Sequence, residues 1–291
     1  MVKLLLERGD VDPNRPDKND LTPLGWATSQ GHEGVVKLLL ERGDVDLNRP
    51  DGDGDGPLGR AAFVGHEGVV KLLLERENVD VNRPGMYDRT PLGWAAFKGH
   101  EGVVKLLLER ENIDPNRQDK DGEGPLGWAA IKGHEGAVKL LLTRGDVDPN
   151  RPNKNDVTPL GWATSQGHEG VVKLLLERGD VDLNRPDRYG GGPLGRAAFV
   201  GHEGVVKLLL GRENVDVNRP GMYDRTPLGW AAIKGHEGVV KLLLERDDVD
   251  LNPSDKHGGT PLAYAGQQGH ARIVQLLQAQ KSGHTPDTHQ Q

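Results

Sequence analysis

Gly-His recurs along the chain with its histidine at His32, His66, His100, His134, His168, His202, His236 and His270, and every interval is 34 residues. Pro-Leu keeps the same beat from Pro23 to Pro261. Eight registers without a slip confine the chain to a repeat architecture. Each copy is one supersecondary unit that cannot bury its apolar face alone, so the copies must stack into a shared core. A longer period lies on top: residues 10–110 match residues 146–246 at 94 of 101 positions, the mark of a duplicated four-repeat block.

Within a unit, Thr22-Pro23 reads as an N-cap followed by proline at the first helical position, where a missing N–H costs nothing. Leu24, Ala27 and Thr28 then share one face at helical spacing, and Gly31 ends this short helix. His32-Glu33-Gly34 opens a second helix with a broad apolar side of Val35, Val36, Leu38, Leu39 and Leu40, which Gly43 is expected to close. From Asp44 to Gly56 the Asp, Asn, Pro and Gly content is turn chemistry, predicting a loop or short hairpin.

The run Thr90-Pro91-Leu92-Gly93-Trp94-Ala95-Ala96-Phe97-Lys98-Gly99-His100, followed by Val103-Val104-Lys105-Leu106-Leu107-Leu108, resembles the ankyrin repeat. The likeness spans residues 1–280 with two departures. The unit has 34 rather than 33 residues, the extra one falling within Gly43 to Asn48, and glycine (Gly25, Gly93) stands where the family carries histidine after Thr-Pro-Leu. The resemblance implies an all-α fold, an ankyrin-repeat solenoid of stacked helix pairs joined by short loops or hairpins. The expected organisation is a partial N-terminal repeat over 1–20, seven repeats over 21–254, a capping repeat over 255–280 and a disordered tail over 281–291. Met1 aligns with Val35, inside a second helix, as in a piece cut from a longer array. Gly-Trp-Ala-Ala with the Val-Asp-x-Asn loop is similar to the self-similar arrays of fungal NACHT-ankyrin receptors.

Composition narrows function. With 37 Lys+Arg against 44 Asp+Glu the net charge is −7, and without a basic footprint non-specific nucleic-acid binding is not expected. No apolar run is long enough to span a membrane. There are no cysteines, which excludes thiolate metal sites and fits a reducing compartment, so an intracellular, cytoplasmic and monomeric protein is the expectation. Neither cofactor nor metal is implied. The eight histidines could suggest zinc, but stacked helices lie about 8–10 Å apart, too far for imidazoles of adjacent repeats to share an ion. Each histidine is read instead as bonding the turn between helices. Asp51-Gly52-Asp53-Gly54-Asp55-Gly56 resembles the start of a calcium loop, yet the twelfth position is Ala62 rather than glutamate, leaving solvated turn carboxylates. No phosphate loop, nucleophile elbow or zinc-protease motif occurs, so an enzyme is not expected.

What remains is the surface. Two slots before each Gly-His pair vary between copies: Phe63/Val64, Phe97/Lys98, Ile131/Lys132, Phe199/Val200 and Ile233/Lys234. Loop tips vary too, at Tyr87/Arg89, Tyr189 and Tyr223/Arg225. By resemblance the helical slots face the concave side of the array, and these residues are the candidate partner-binding set, for a protein partner of unknown identity. The bland reading packs the phenylalanines between repeats as core. The expected role is recognition within a larger signalling or immune-like receptor; a freestanding scaffold or adaptor is the alternative. Finally, the slot of Trp26, Trp94, Trp128, Trp162 and Trp230 is Arg60 and Arg196 in two repeats. There cation–π ladders between arginine and the flanking tryptophans are expected.

Overall fold

A computed structural model describes Lys3 and residues 11–283. Apart from helical Lys3, the first half of the expected partial repeat lies outside the described residues, as does the tail from residue 284. The chain forms two compact units, Met1–Lys154 and Asn155–Gln291. In unit 1 the helix pairs are α1 (Pro23–Ser29) and α2 (Glu33–Leu40), α3 (Pro57–Val64) and α4 (Glu67–Leu74), α5 (Pro91–Lys98) and α6 (Glu101–Leu108), α7 (Pro125–Lys132) and α8 (Glu135–Leu142). In unit 2 they are α9 (Pro159–Gln166) and α10 (Glu169–Leu176), α11 (Pro193–Val200) and α12 (Glu203–Leu210), α13 (Pro227–Lys234) and α14 (Glu237–Leu244), α15 (Pro261–Gln267) and α16 (Ala271–Gly283). Among the described residues there is no strand, so the fold is all-α, and the loop tips are turns rather than hairpins. No helix among them is long and apolar enough to cross a membrane.

The caps follow the sequence. Thr22 Oγ1 accepts from Gly25 N at 3.1 Å, and Thr90, Thr158 and Thr226 repeat this contact, so that one orphan donor at each helix start is satisfied. First helices pack on first helices and second on second. Zero-exposure Ala61, Ala62, Ala95 and Ala96 let the first helices approach closely. Fully buried Leu39, Leu73, Leu107 and Leu141 in unit 1, and Leu175, Leu209 and Leu243 in unit 2, fill the space between second helices. Each such side chain contributes about 1.5–3 kcal/mol. The second helix stops at Leu40, before Gly43, which has no left-handed φ; Glu77 and Glu111 fill the same position elsewhere, so glycine is not the stop signal. At the other end α16 runs on to Gly283. The helix-forming Gln278, Ala279, Gln280 and Lys281 carry it three residues past its expected end.

Between neighbouring repeats the joints are polar and point at main chain. His66 Nε2–H donates to Ser29 O at 3.2 Å, His100 to Phe63 O and His134 to Phe97 O, both at 3.1 Å. In unit 2 His202, His236 and His270 bond Ser165 O, Phe199 O and Ile233 O in the same way. The histidines thus have a structural job, reaching back to the preceding helix end. The imidazole of His66 also lies 2.8 Å from where a Cβ on Gly31 would stand, at φ 72, so glycine is required there twice over. In the loops, Asn48 Nδ2 donates to Asn78 O at 2.7 Å while its Oδ1 accepts from Asp80 N at 2.8 Å. Asn14, Asn82, Asn116, Asn184 and Asn218 repeat the clasp.

Candidate functional site

Five of the eight loop tips are organised by an aspartate with two tasks. Asp51 Oδ1 accepts from the N–H groups of Asp53 (2.9 Å) and Asp55 (3.1 Å), closing the turn. Asp17, Asp119, Asp187 and Asp255 close theirs identically. The second oxygen takes the side chain nine residues on: Trp26 Nε1 at 3.0 Å, Trp128 Nε1 at 2.7 Å, Tyr264 Oη at 2.5 Å, and the guanidiniums of Arg60 and Arg196. This overturns two expectations. The arginines are drawn to loop carboxylates rather than to flanking indoles, because a full charge within reach outweighs a ring quadrupole. The carboxylates around Arg60 are also not all solvated: Asp51 and Asp55 are buried, only Asp53 exposed.

Three repeats depart from the pattern: in one the slot is Asn153, whose Nδ2 donates to Glu123 Oε2 at 3.0 Å, and the other two carry glycine. Gly85 and Gly221 stand where the loop aspartate should be, and the tips become short 3₁₀ turns, Met86–Asp88 and Met222–Asp224, with Tyr87 and Tyr223 held at φ 63 and 65. In unit 1 the deprived Trp94 turns to the preceding repeat, donating from Nε1 to Asp55 Oδ1 at 3.1 Å; Met86 N donates to the same oxygen at 3.1 Å. Burial pushes the Asp55 carboxyl up, against the lowering effect of Trp94 and Arg60. A ring cluster assembles around this point. Phe63 meets Trp94 edge-on at 4.9 Å, Tyr87 lies 6.4 Å from Trp94, and Phe97 stands between Trp94 (5.9 Å) and Trp128 (5.1 Å). Arg89 lies beneath, 4.3 Å from the Trp94 ring and 4.2 Å from that of Trp128, and pairs with Asp119 at 2.9 Å. Lys98 covers Phe63 at 4.3 Å.

Unit 2 repeats the rings. Phe199 meets Trp230 at 4.9 Å and Tyr223 lies 6.4 Å from it, while Lys234 covers Phe199 at 4.5 Å. Arg225 stands 4.9 Å from both Trp230 and Tyr264, paired with Asp255 at 2.8 Å. Although burial opposes ionisation of Asp255, hydrogen bonds from Tyr264 and Arg225 hold its carboxyl well below the usual range. Two differences bear on the cluster: Ile233 replaces the Phe97 ring, and Gly191 replaces Asp55. A cleft of about 300 Å³ opens there, walled by Tyr189, Arg196, Phe199, Val200, Met222, Arg225 and Trp230.

The residues singled out from sequence therefore fall into three groups. Val64, Tyr87, Tyr189, Phe199, Val200 and Tyr223 are exposed, and Lys98, Lys132 and Lys234 are exposed beside them. Phe63, Phe97, Ile131, Ile233 and Arg225 are half-buried. Arg89 is buried at 5% exposure and holds rings in place from below. Sequence reasoning named Met222 among the variable tips but missed Gly191 and the turn-closing role of the loop aspartates. The seven mismatches between the duplicated blocks were the available signal, since three of them fall within residues 188–191.

A family model described as ankyrin repeats (3 copies) matches the chain in overlapping segments, residues 1–85, 44–119, 60–153, 92–187, 126–221 and 194–289. No curated protein matches it.

Proposed function

The chain belongs to the ankyrin-repeat family, whose repeats are protein–protein interaction modules, and from that premise we propose that it captures a protein partner on the copy-variable slots of its first helices and loop tips. The observation that carries this reading is the cluster of Tyr189, Phe199, Val200, Met222 and Tyr223. All five are large, apolar and at least 39% exposed in slots that the repeat does not need for its core. Exposed aromatic and aliphatic groups held by a rigid scaffold mark interfaces, and aromatic anchors dominate their energy. The concave side of the array is the face we assign to these slots. Within unit 1 Lys98 and Lys132 are exposed on α5 and α7, next to half-buried Phe97 and Ile131; within unit 2 Lys234 is exposed on α13, next to half-buried Ile233. Several of the charged groups at the tips are held in pairs, among them Arg60 with Asp51 and Arg89 with Asp119, which fixes the tips as a scaffold for recognition.

Phe199→Ser combined with Val200→Ser is expected to abolish partner capture while leaving the unfolding midpoint nearly unchanged. Phe97→Ser, placed between two indoles, should cost stability as well. A large fall in stability from the Phe199/Val200 pair with binding retained would assign these residues to the core instead. The larger setting we favour is the recognition part of a signalling or immune-like receptor, on the likeness of Gly-Trp-Ala-Ala arrays to fungal NACHT-ankyrin proteins. A freestanding adaptor would use the same surface. Sequencing the gene upstream of this segment separates the two, since an in-frame nucleotidase domain supports the receptor and an adaptor has none.

A further inference from the structure

The duplicated block supplies its own comparison for the cleft in unit 2. In unit 1 the Asp55 carboxylate accepts from Trp94 Nε1 and Met86 N and lies 3.9 Å from Arg60. Unit 2 keeps the donors, as Trp230 and Met222, and keeps the arginine, as Arg196. It keeps the ring that fixes the indole, since Phe199–Trp230 and Phe63–Trp94 are both 4.9 Å. What it lacks is the acceptor. Gly191 has no side chain, Gly221 has removed the loop aspartate, and among the described residues neither Trp230 Nε1 nor Met222 N has an acceptor. The three exchanges from unit 1 to unit 2 at Gly52/Arg188, Asp53/Tyr189 and Asp55/Gly191 remove two carboxylates and add one guanidinium, a change of three positive charges.

We propose that this cleft is a socket for the side-chain carboxylate of an aspartate or glutamate on a partner protein segment, which takes the place Asp55 occupies in unit 1. The carboxylate accepts from Trp230 Nε1–H and Met222 N–H and faces Arg196. The neighbouring residues of the segment lie on Phe199, Val200 and Tyr189, which fits a cleft of about 300 Å³, larger than one carboxylate needs. A low-dielectric wall strengthens charge-assisted bonds of this kind, and two donors fixed in advance lose little freedom on binding. The proposal rests on the protein-binding reading above and names the chemistry of one of its contacts. Capture through Phe199 and Val200 needs no carboxylate, so either idea can fail while the other stands.

The experiment is a titration of the whole chain followed by the ¹H–¹⁵N signals of the Trp230 indole and the Met222 amide. The probes are the blocked peptide acetyl-Leu-Asp-Leu-amide, its Asn isostere, and sodium acetate at matched ionic strength. The Asp peptide should shift both signals and bind at least about tenfold more tightly than the Asn peptide or acetate. Equal affinity of the Asn peptide would overturn the socket, and equal potency of acetate would overturn the partner segment as its source. Gly191→Asp should abolish the response by filling the cleft. Its Cβ meets Asp187 at an ordinary 3.5 Å, and Gly191 has no left-handed φ to strain. Should that variant fold poorly, Asp55→Gly tests the same idea in reverse, because it should make the Trp94 indole respond to the Asp peptide. An unresponsive Trp94 in a folded Asp55→Gly chain would count against the socket.

Discussion

Around Trp94 the ring cluster is closed from within by Asp55, whereas around Trp230 the equivalent phenylalanine and tyrosine stand open beside Gly191. The ring separations barely differ, 4.9 and 6.4 Å to the phenylalanine and tyrosine in both units. The carboxylate therefore does not build the cluster; the repeat framework does, and the carboxylate only seals it. Sealing matters for exposure: Trp94 is 4% exposed while Trp230 is half-buried, and Phe199 is exposed where Phe63 is not. A stabilising knot in one unit is a receptive surface in the other, through exchanges at one loop tip together with Ile233 in place of Phe97 and Tyr264 in place of Trp128.

The sharpest way to break this contrast is to remove the indoles. Trp94→Ala should cost about 3–5 kcal/mol in urea unfolding, because a buried ring, its hydrogen bond and a sealed carboxylate are lost together. Trp230→Ala should cost clearly less, and equal penalties would mean that the cleft is closed in solution. Arg89→Ala comes next, at about 3 kcal/mol, since it leaves the buried Asp119 charge with its hydrogen bonds but without its counter-ion. Arg225→Ala is expected to cost less, its side chain being 17% exposed against 6% for Arg89.

Smaller effects come from the carboxylates, with opposite signs in the two units. Asp255 is held low, so its contribution is present above about pH 4 and is lost as pH falls below it. The penalty of Asp255→Asn, about 2 kcal/mol at pH 7, should fade when unfolding is measured toward pH 3. Asp55 is raised, so its folded form favours the proton and its contribution is present at low pH and lost as pH rises. Asp55→Asn keeps the acceptor for Trp94 and Met86 without the buried charge. It should change stability at pH 7 by no more than about 0.5 kcal/mol, or raise it, because Asp51 and Asp53 already hold Arg60. Unit 2 has Tyr189 in place of Asp53 and Arg188 in place of Gly52, so the preference for a charged acceptor is expected there and not here. A large destabilisation would show that the ionised carboxylate itself seals unit 1.

Much of this was legible in the residues. The 34-residue period dictated helix pairs, Thr22-Pro23 marked the helix start, and each Gly-His histidine was read as a structural bond at a turn, though not as one that reaches the preceding repeat. What stayed hidden was contact across repeats. Nothing local says that Trp94 will bond an aspartate 39 positions earlier, because that choice arises only once Gly85 has removed the nearer one. The arginine ladder failed for a different reason, since the contact that displaced it lies within one repeat: Asp51 stands nine positions before Arg60 and folds back onto it. Tyr189, Phe199 and Val200 could be singled out as variable, but their shared wall depended on a missing side chain at Gly191.

The joints between repeats have a consequence for how such a gene can change. His66 holds the carbonyl of Ser29 and His100 that of Phe63, while the loop asparagines clasp main-chain atoms of Asp44, Asn78 and Asn112. Every one of these bonds ends on backbone, so a repeat does not recognise which repeat it follows. Unequal crossover that inserts or deletes whole 34-residue copies leaves each seam chemically complete. The tips are free to diverge, because selection can rearrange the order of recognition surfaces without redesigning what binds one copy to the next.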